Sequence, residues 1–352
     1  MTALILGLAA LVAVVMGLAL IDQWAERHRS YQLAWAVGSL LFGLAAGAEA
    51  LGAAAGWTPT LFRAWYLAGA VLNVGWLGLG TAFLLGRTRF GYLYALLVAM
   101  GGIIAVLTQV KESYAGAGSL PIVYLIGALV LALAIGIETY FQDARWPRIA
   151  TIEVLAVTLA ATFFVVTAAL PDGPPPLDIH GVPVLDPLPG SLRLLTPLMN
   201  VTGGLALFLG ALFSAYVFMP KRRPLDYSLD PRQTGDQMLF NLLIAPVAIV
   251  VNFLWSLPGA LNALTRGRLH SRVPATILIA LGALLITGID FGVRGGETTV
   301  FAVSKLAGIS LIFAGFLVSI EAFREIRIPF TNRRLAIGRV ERGDVSAETD
   351  ST

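Results

Sequence analysis

The chain has 352 residues, of which 57% are apolar and only 13% are charged, and its mean hydropathy is +0.80. Soluble domains carry about 25% charged residues, so this composition excludes a protein whose whole surface faces water. The formal net charge of +3 is small, and a sequence without cysteine excludes disulfides, thiolate metal sites, iron–sulfur clusters and a cysteine nucleophile.

Nine apolar runs are long enough to cross a bilayer as helices. A span needs roughly 20 apolar residues, and backbone groups in lipid must pair within their own segment. The runs lack the polar–apolar alternation of barrel strands. The predicted fold class is therefore all-α, a polytopic transmembrane helical bundle of about nine spans plus one re-entrant or interfacial helical segment. The predicted spans are 2–21, 33–55, 62–85, 92–110, 122–141, 149–170, 194–219, 274–292 and 299–322.

The basic residues of the loops predict an orientation. Alternate connections hold ten of them, whereas the connections on the other side hold three up to the seventh span. Because basic loops stay in the cytoplasm, we expect a multi-pass protein of the inner (cytoplasmic) membrane, with its N-terminus outside and its C-terminus cytoplasmic. The first run has its charges after the apolar core, which indicates a retained span and not a signal peptide. The ten residues are Arg27, Arg29, Arg87, Arg89, Arg145, Arg148, Lys221, Arg222, Arg223 and Arg232.

One further apolar segment, 238–264, is long enough to cross but has basic residues on both flanks. Arg232 precedes it and Arg266 follows it. Pro246 and Pro258 would each remove a helix hydrogen bond. We predict a re-entrant or interfacial helical hairpin on the cytoplasmic face that does not cross.

The same pattern suggests four parts of the chain. These are a seven-span bundle at 1–219, a cytoplasmic-side loop with the non-crossing segment at 220–272, two spans at 273–325, and a basic, then disordered tail at 326–352. The proline-rich loop 171–193 cannot form a long helix. We interpret it as an ordered lid over the outer helix ends, with a binding loop as the alternative.

Three stretches together carry a resemblance to a known group of sequences. They are GWTPTLFRAWYLAGAVLNVGWLGLGTAFLL at 56–85, SLRLLTPLMNVTGGLALFLGALFSAY at 191–216 and FAVSKLAGISLIFAGFLVS at 301–319. They resemble uncharacterised multi-pass membrane proteins from bacteria. The resemblance implies a seven-span core with additions at 122–170 and 220–272, and it implies no activity and no catalytic residues.

Ionisable residues inside spans are costly and are candidates for function. Lys305 lies about two turns into the last span, and Glu49 and Asp290 lie near the outer ends of their spans. We predict an ion pair of Lys305 with one of these carboxylates. The structural interpretation is a fixed pair or a lysine that snorkels outward; the alternatives are a substrate or ion site, or a retinal Schiff base. The last needs a counterion on the third span, which offers Asn73 but no acid.

Glu138 and Glu153 lie on consecutive helices, each about one turn from the loop 142–148. Two carboxylates in a low-dielectric site are typical of a proton relay. The alternative is that Arg145 and Arg148 neutralise them.

Several kinds of chemistry lack a supporting pattern in the sequence. The three histidines fall in loops or at interfaces, which disfavours an intramembrane haem. The sequence has no metal-spaced histidine cluster, no GxxxxGK[ST] and no GxSxG. We therefore expect a protein that is not an enzyme, without a metal site or a nucleic-acid partner and with no identifiable cofactor.

Small residues and tryptophans suggest how the helices meet each other and the bilayer. Glycine-rich faces allow close approach of helices within one chain or in a homo-oligomer; these glycines are Gly43, Gly47, Gly69, Gly75, Gly78 and Gly80. Tryptophans near span ends are typical of aromatic belts; these are Trp24, Trp35, Trp57, Trp65 and Trp146.

Two functional hypotheses follow. The first is a non-enzymatic scaffold, a subunit of a membrane complex, or a sensor that binds a lipophilic ligand, with the lipid bilayer and other protein chains as partners. The alternative is a secondary transporter or channel that uses Lys305 and the intramembrane carboxylates. The proline-broken segment 238–264 favours the alternative, because interrupted helices mark many transporters.

Overall fold

The computed structural model describes residues 1–141, 144–170, 173–178, 181–266, 269–292 and 298–319, and the strands 325–327 and 334–336. For 288–292, 298 and the strands, only the backbone is described. The helices are α1 Thr2–Arg27, α2 Ser30–Ala55, α3 Pro59–Leu84, α4 Phe90–Glu112, α5 Leu120–Tyr140, α6 Trp146–Thr167, α7 Gly190–Phe218, α8 Met238–Thr265, α9 Arg272–Gly292 and α10 Thr298–Val318. The strands β1 Glu325–Arg327 and β2 Arg334–Ala336 pair antiparallel.

The predicted all-α bundle is confirmed, and all nine predicted spans are helices. Apolar runs of this length form helices because the backbone must pair internally once it leaves water. The helices alternate in direction between two ends of the bundle. We call the end that holds residues 85–89 and 219–230 the basic end, and the end that holds 113–119 and 181–189 the opposite end.

Two large apolar cores hold the bundle together, and a smaller third one packs α8 against the end of α7 and the start of α9. The first lies among α3, α4, α5, α6 and the first half of α7, around buried Tyr66, Tyr94 and Trp146. The second joins α1, α2, α9, α10 and the second half of α7, where the Trp35 and Phe316 rings lie 4.6 Å apart. The last two spans therefore pack against the first and the seventh, as parts of one bundle.

The helices α3 and α7 cross at a contact that only glycine permits. A Cβ atom on Gly203 would lie 2.3 Å from the Val74 carbonyl oxygen, and one on Gly78 would lie 2.5 Å from Gly203 Cα. Both helices widen to a π-helical turn in this region, at Tyr66–Leu72 and Asn200–Gly204. The backbones touch here because neither helix carries a side chain at the crossing.

The other predicted glycine faces also pack within the chain. Gly80 lies against the Trp35 indole, Gly69 against Ala45, and Gly43 against Val14. Since these faces are already occupied, an oligomer of this protein would have to use other surfaces.

The aromatic-belt interpretation is wrong for three of the five tryptophans. Trp35, Trp57 and Trp146 are buried, with 4%, 6% and 1% exposure. The Trp35 indole N–H donates to the Leu77 carbonyl at 3.1 Å, and that of Trp146 donates to the Gly86 carbonyl at 2.9 Å. Two of these rings are internal because backbone acceptors in the chain satisfy their single polar atom.

The segment 238–264 forms one continuous helix, α8, so the predicted hairpin and its re-entrant form are wrong. Pro246 and Pro258 lie within this helix without reversing the chain. By length and composition alone α8 would qualify as a span. Its flanks exclude this, because both of them lie at the basic end.

Two contacts place the flanks of α8. Before the helix, the Asp230 carboxylate lies 3.7 Å from the Arg89 guanidinium. After it, the His270 ring stacks on Phe218 with centroids 5.0 Å apart. One continuous helix cannot cross a bilayer and have both flanks at one end, so the predicted non-crossing placement is supported and the spans are α1 to α7, α9 and α10.

The loop after α6 covers the opposite end of the bundle. Among the residues described there, Leu188 is buried in the first core with Leu185 packed against it. The Arg193 guanidinium lies 4.1 Å from the centre of the Tyr114 ring. The predicted ordered lid is confirmed for these residues.

Candidate functional site

Lys305 and Glu49 meet inside the bundle as an ion pair, as the sequence predicted. The Lys305 Nζ lies 2.5 Å from Glu49 Oε2. Lys305 follows the start of α10 by seven residues and Glu49 precedes the end of α2 by six. At 1.5 Å per residue, both lie about 10 Å from the opposite end.

This pair is closely surrounded by protein. The exposed fractions of the two side chains are 16% for Lys305 and 6% for Glu49, and the Lys305 ammonium also lies 4.0 Å from the centre of the Phe301 ring. Charges at this depth are tolerated when they are paired and hydrogen-bonded. The geometry therefore matches the structural interpretation of Lys305, whose ammonium already has a carboxylate partner.

The other predicted partner of Lys305 is Asp290. It falls within α9, but its side chain lies outside the described residues.

Glu153 occupies the interior of the first core. It lies on the inward stripe of α6, together with Ala150 and Val157, and is 3% exposed. The i, i+3, i+4, i+7 spacing of this stripe directs the carboxyl group towards α4 and α7 and away from lipid.

Two side chains that carry hydroxyl groups, Tyr94 and Thr202, lie near Glu153. The fully buried Tyr94 of α4 lies within electrostatic range, and Thr202 of the α7 π-helical turn lies beside the carboxyl group. Thr202 donates its own hydrogen bond to the Leu97 carbonyl at 3.5 Å. Across the described part of the chain, both Glu153 oxygens and the Tyr94 hydroxyl lack a partner with hydrogen-bond geometry.

Within the described residues, no hydrogen bond joins Glu153 to Glu138, Arg145 or Arg148, since neither Glu153 oxygen has a hydrogen-bond partner there. Glu138 on α5 is half-buried. The proton relay of the two carboxylates and their neutralisation by Arg145 and Arg148 therefore stay predictions.

Sequence reasoning missed Tyr94, Thr202 and the π-helical turn that presents Thr202. A signal exists in the sequence, since Asn200-Val201-Thr202-Gly203-Gly204 puts polar and small residues in the middle of a span. Single π turns within α-helices are frequent at functional sites. One segment of sequence does not show which helices pack against it. Only the folded structure therefore shows that Thr202 lies beside Glu153.

Two cavities in the described part of the bundle are small. One holds about 20 Å³, at the basic end between Trp35, Arg272 and Phe316, and the other holds about 10 Å³, under the lid near Phe62. These volumes are near that of one water, far below the roughly 300 Å³ of a small-molecule pocket. Within the described residues, no group of three or more His, Asp or Glu side chains could hold a metal ion.

Comparison with known proteins adds no assignment. No family model, no curated protein and no solved structure matches this sequence.

Proposed function

We propose that this integral membrane protein is a non-enzymatic scaffold or subunit of a membrane complex. The observation that carries the proposal is the close packing of its interior. The α3–α7 crossing has backbone in contact with backbone at Gly203, and two cavities found among the described residues hold only about 20 Å³ and 10 Å³.

The intramembrane ion pair supports the same proposal. Lys305 and Glu49 form an ion pair at 2.5 Å, so neither charge is free to bind a solute. A pair of this kind fixes α10 against α2 and so helps to hold a rigid bundle. A lipophilic ligand of ordinary size would require the helices to separate, which disfavours the ligand-binding form of the hypothesis.

One observation favours a second candidate, a proton-coupled transporter. Glu153 is buried beside two hydroxyl-bearing side chains and has no cation partner within the described residues. A carboxylate in such surroundings must be neutralised by a proton or a bound cation, since an isolated buried charge is costly. This alternative rests on Glu153, whereas Lys305 already has its partner.

The test of the first proposal is purification in mild detergent followed by mass spectrometry of whatever remains bound. The proposal expects a protein partner at stoichiometric amount, retained by both the wild type and the Glu153→Gln variant. A protein that purifies alone at every detergent concentration would contradict the scaffold proposal.

Liposomes that carry a pH gradient and a trapped pH dye test the second candidate with the same protein. A transporter would dissipate the gradient, Glu153→Gln would abolish the flux, and Glu138→Gln would retain it. The last variant is a matched control because Glu138 is half-buried on the neighbouring helix. Equal leak with and without protein would exclude this candidate.

A further inference from the structure

The outward face of α8 is mostly apolar, although Asn262 near its end is also exposed. Most of the exposed apolar side chains follow one another at intervals of three or four residues, which places them on one face of the helix. The exposed fractions of these side chains are 51% to 77%, much larger than those of side chains that pack against protein. These residues are Leu239, Phe240, Leu243, Val247, Val250, Leu254, Trp255, Leu261 and Leu264.

The inward face of α8 combines small apolar residues with the buried Asn252 and Ser256, and the chain that follows α7 lies against it. The Asn252 side-chain oxygen accepts from the Leu225 N–H at 3.1 Å, and its amide donates to the Leu225 carbonyl at 2.9 Å. The Ser256 hydroxyl accepts from the Arg222 N–H at 2.9 Å. The segment 219–225 therefore runs antiparallel to the middle of α8.

These contacts determine how α8 lies relative to the bilayer. The helix is about 42 Å long at 1.5 Å per residue, and its middle lies level with residues that directly follow the end of a span. Both flanks also lie at the basic end. A helix with these constraints lies along the basic end, in the plane of the membrane surface.

The charge around α8 specifies the surface that it meets. Residues 220–272 contain seven basic and three acidic side chains. Lys221, Arg222 and Arg223 form one exposed run beside the helix. Partial burial lowers the pKa of the Lys221 ammonium, and the nearby Arg223 charge adds to the effect. This crowding of positive charge favours a neighbouring anion.

We propose that α8 is an interfacial helix whose apolar face enters the bilayer at the basic end, while the run Lys221–Arg223 binds the headgroups of anionic lipids. Helices with one apolar and one polar face bury the apolar face about 5–10 Å into the headgroup and acyl boundary. Basic residues beside such a helix attract anionic lipid. The inference is independent of whether the protein is a scaffold or a transporter.

Nitroxide labels test the placement of α8. Because the chain has no native cysteine, a single introduced cysteine is the only residue that the label modifies. Four variants, Leu243→Cys, Val247→Cys, Val250→Cys and Leu254→Cys, are labelled in the full chain and reconstituted in phosphatidylcholine with phosphatidylglycerol. The proposal expects all four labels to lie at the same depth in the bilayer. The depth of each label is measured from the ratio of its accessibility to oxygen and to a nickel chelate. The spanning helix α5 is the matched control, with Val123→Cys, Val130→Cys and Leu133→Cys at clearly different depths.

Two other outcomes would overturn the placement. A depth that changes steadily along α8, as along α5, would mean that the helix crosses. Labels shielded from both oxygen and the nickel chelate would mean that protein, such as a second copy of this chain, covers the face.

Lipid selectivity is measured by mass spectrometry of lipids retained from an equal mixture of phosphatidylcholine and phosphatidylglycerol. We expect enrichment of phosphatidylglycerol, reduced at least about tenfold when Lys221, Arg222 and Arg223 are all replaced by Gln. Lys111→Gln, an exposed lysine at the opposite end, is the control and should retain the enrichment. Equal retention of both lipids by the wild type would overturn the proposal.

Discussion

Glu49 and Lys305 illustrate what a single pair of charges does inside this bundle. They lie 256 residues apart in sequence and meet at 2.5 Å. Either one alone would be an unpaired charge at membrane depth, so the two residues are constrained as a unit. Their contact ties the last span to the second.

We predict that Lys305→Met destabilises the protein by about 3 kcal/mol or more, because it leaves the buried Glu49 carboxylate without a partner. The measurement is the free energy of unfolding in mixed micelles. The double variant Lys305→Met/Glu49→Gln should recover most of the loss, since no charge then remains.

The control for this prediction is Lys111→Met. Lys111 is 83% exposed beside Glu112, and exposed pairs of this kind contribute roughly 0–1 kcal/mol. If Lys305→Met lowers the free energy of unfolding by no more than Lys111→Met does, the internal ion pair has no structural role.

At the scale of elements, the crossing of α3 and α7 brings backbone against backbone. Gly203 meets the Val74 carbonyl and Gly75 Cα, which are backbone atoms that cannot rotate away. The π-helical turn at Asn200–Gly204 lies in this contact and also presents Thr202 to Glu153. Packing and the candidate site therefore depend on one stretch of α7.

We expect Gly203→Ala to destabilise the bundle by about 1–3 kcal/mol, the usual cost of overpacking. Its Cβ would lie 2.3 Å from the Val74 oxygen, so the two helices must separate. Thermal unfolding in detergent measures the change.

Gly136→Ala on α5 provides the matched comparison, since a Cβ there meets nothing within 4 Å. That variant should be neutral or more stable by up to about 1 kcal/mol, because Ala favours the helix over Gly. Equal destabilisation by both changes would show that helix propensity, and not the crossing, determines the outcome.

At the scale of the whole molecule, an odd number of crossings predicts that α1 begins and α10 ends on opposite sides of the membrane. Nine spans result because α8 stays at the basic end. The Thr2 and Thr299 hydroxyls approach to 3.5 Å at the opposite end, which is consistent with α1 and α10 both starting there. The charge of the loops then selects which side faces the cytoplasm.

Single cysteines test this orientation in cells. We predict that Ala115→Cys, at the opposite end, reacts with a membrane-impermeant maleimide in intact cells. Pro224→Cys, at the basic end, should react only after permeabilisation, because basic loops are retained inside. The reverse pattern would place the basic end outside and overturn the predicted orientation.

The spans were readable from the sequence because their determinant is local. A run of about 20 apolar residues, such as Leu205–Phe218 with its preceding turns, prefers lipid whatever its neighbours are. For α8 the sequence predicted a hairpin, because Pro246 and Pro258 each remove a helix hydrogen bond. The structure shows one helix through both prolines, and the contacts of its flanks with Arg89 and Phe218 place both flanks at the basic end.

The candidate site was only partly predictable for a related reason. The cost of charge in lipid singled out Lys305, Glu49 and Glu153 from the sequence alone. The choice of Glu49 as the partner of Lys305, and the approach of Tyr94 and Thr202 to Glu153, depend on which helix faces which.

The sequence by itself determined a helical membrane protein, its spans and the rare ionisable residues within them, because lipid acts on each segment separately. The tertiary structure alone decided that Trp35 and Trp146 are internal, that Gly203 meets Val74, and that α8 is one continuous helix. Those contacts join residues far apart along the chain, and their energies exist only when the helices are assembled.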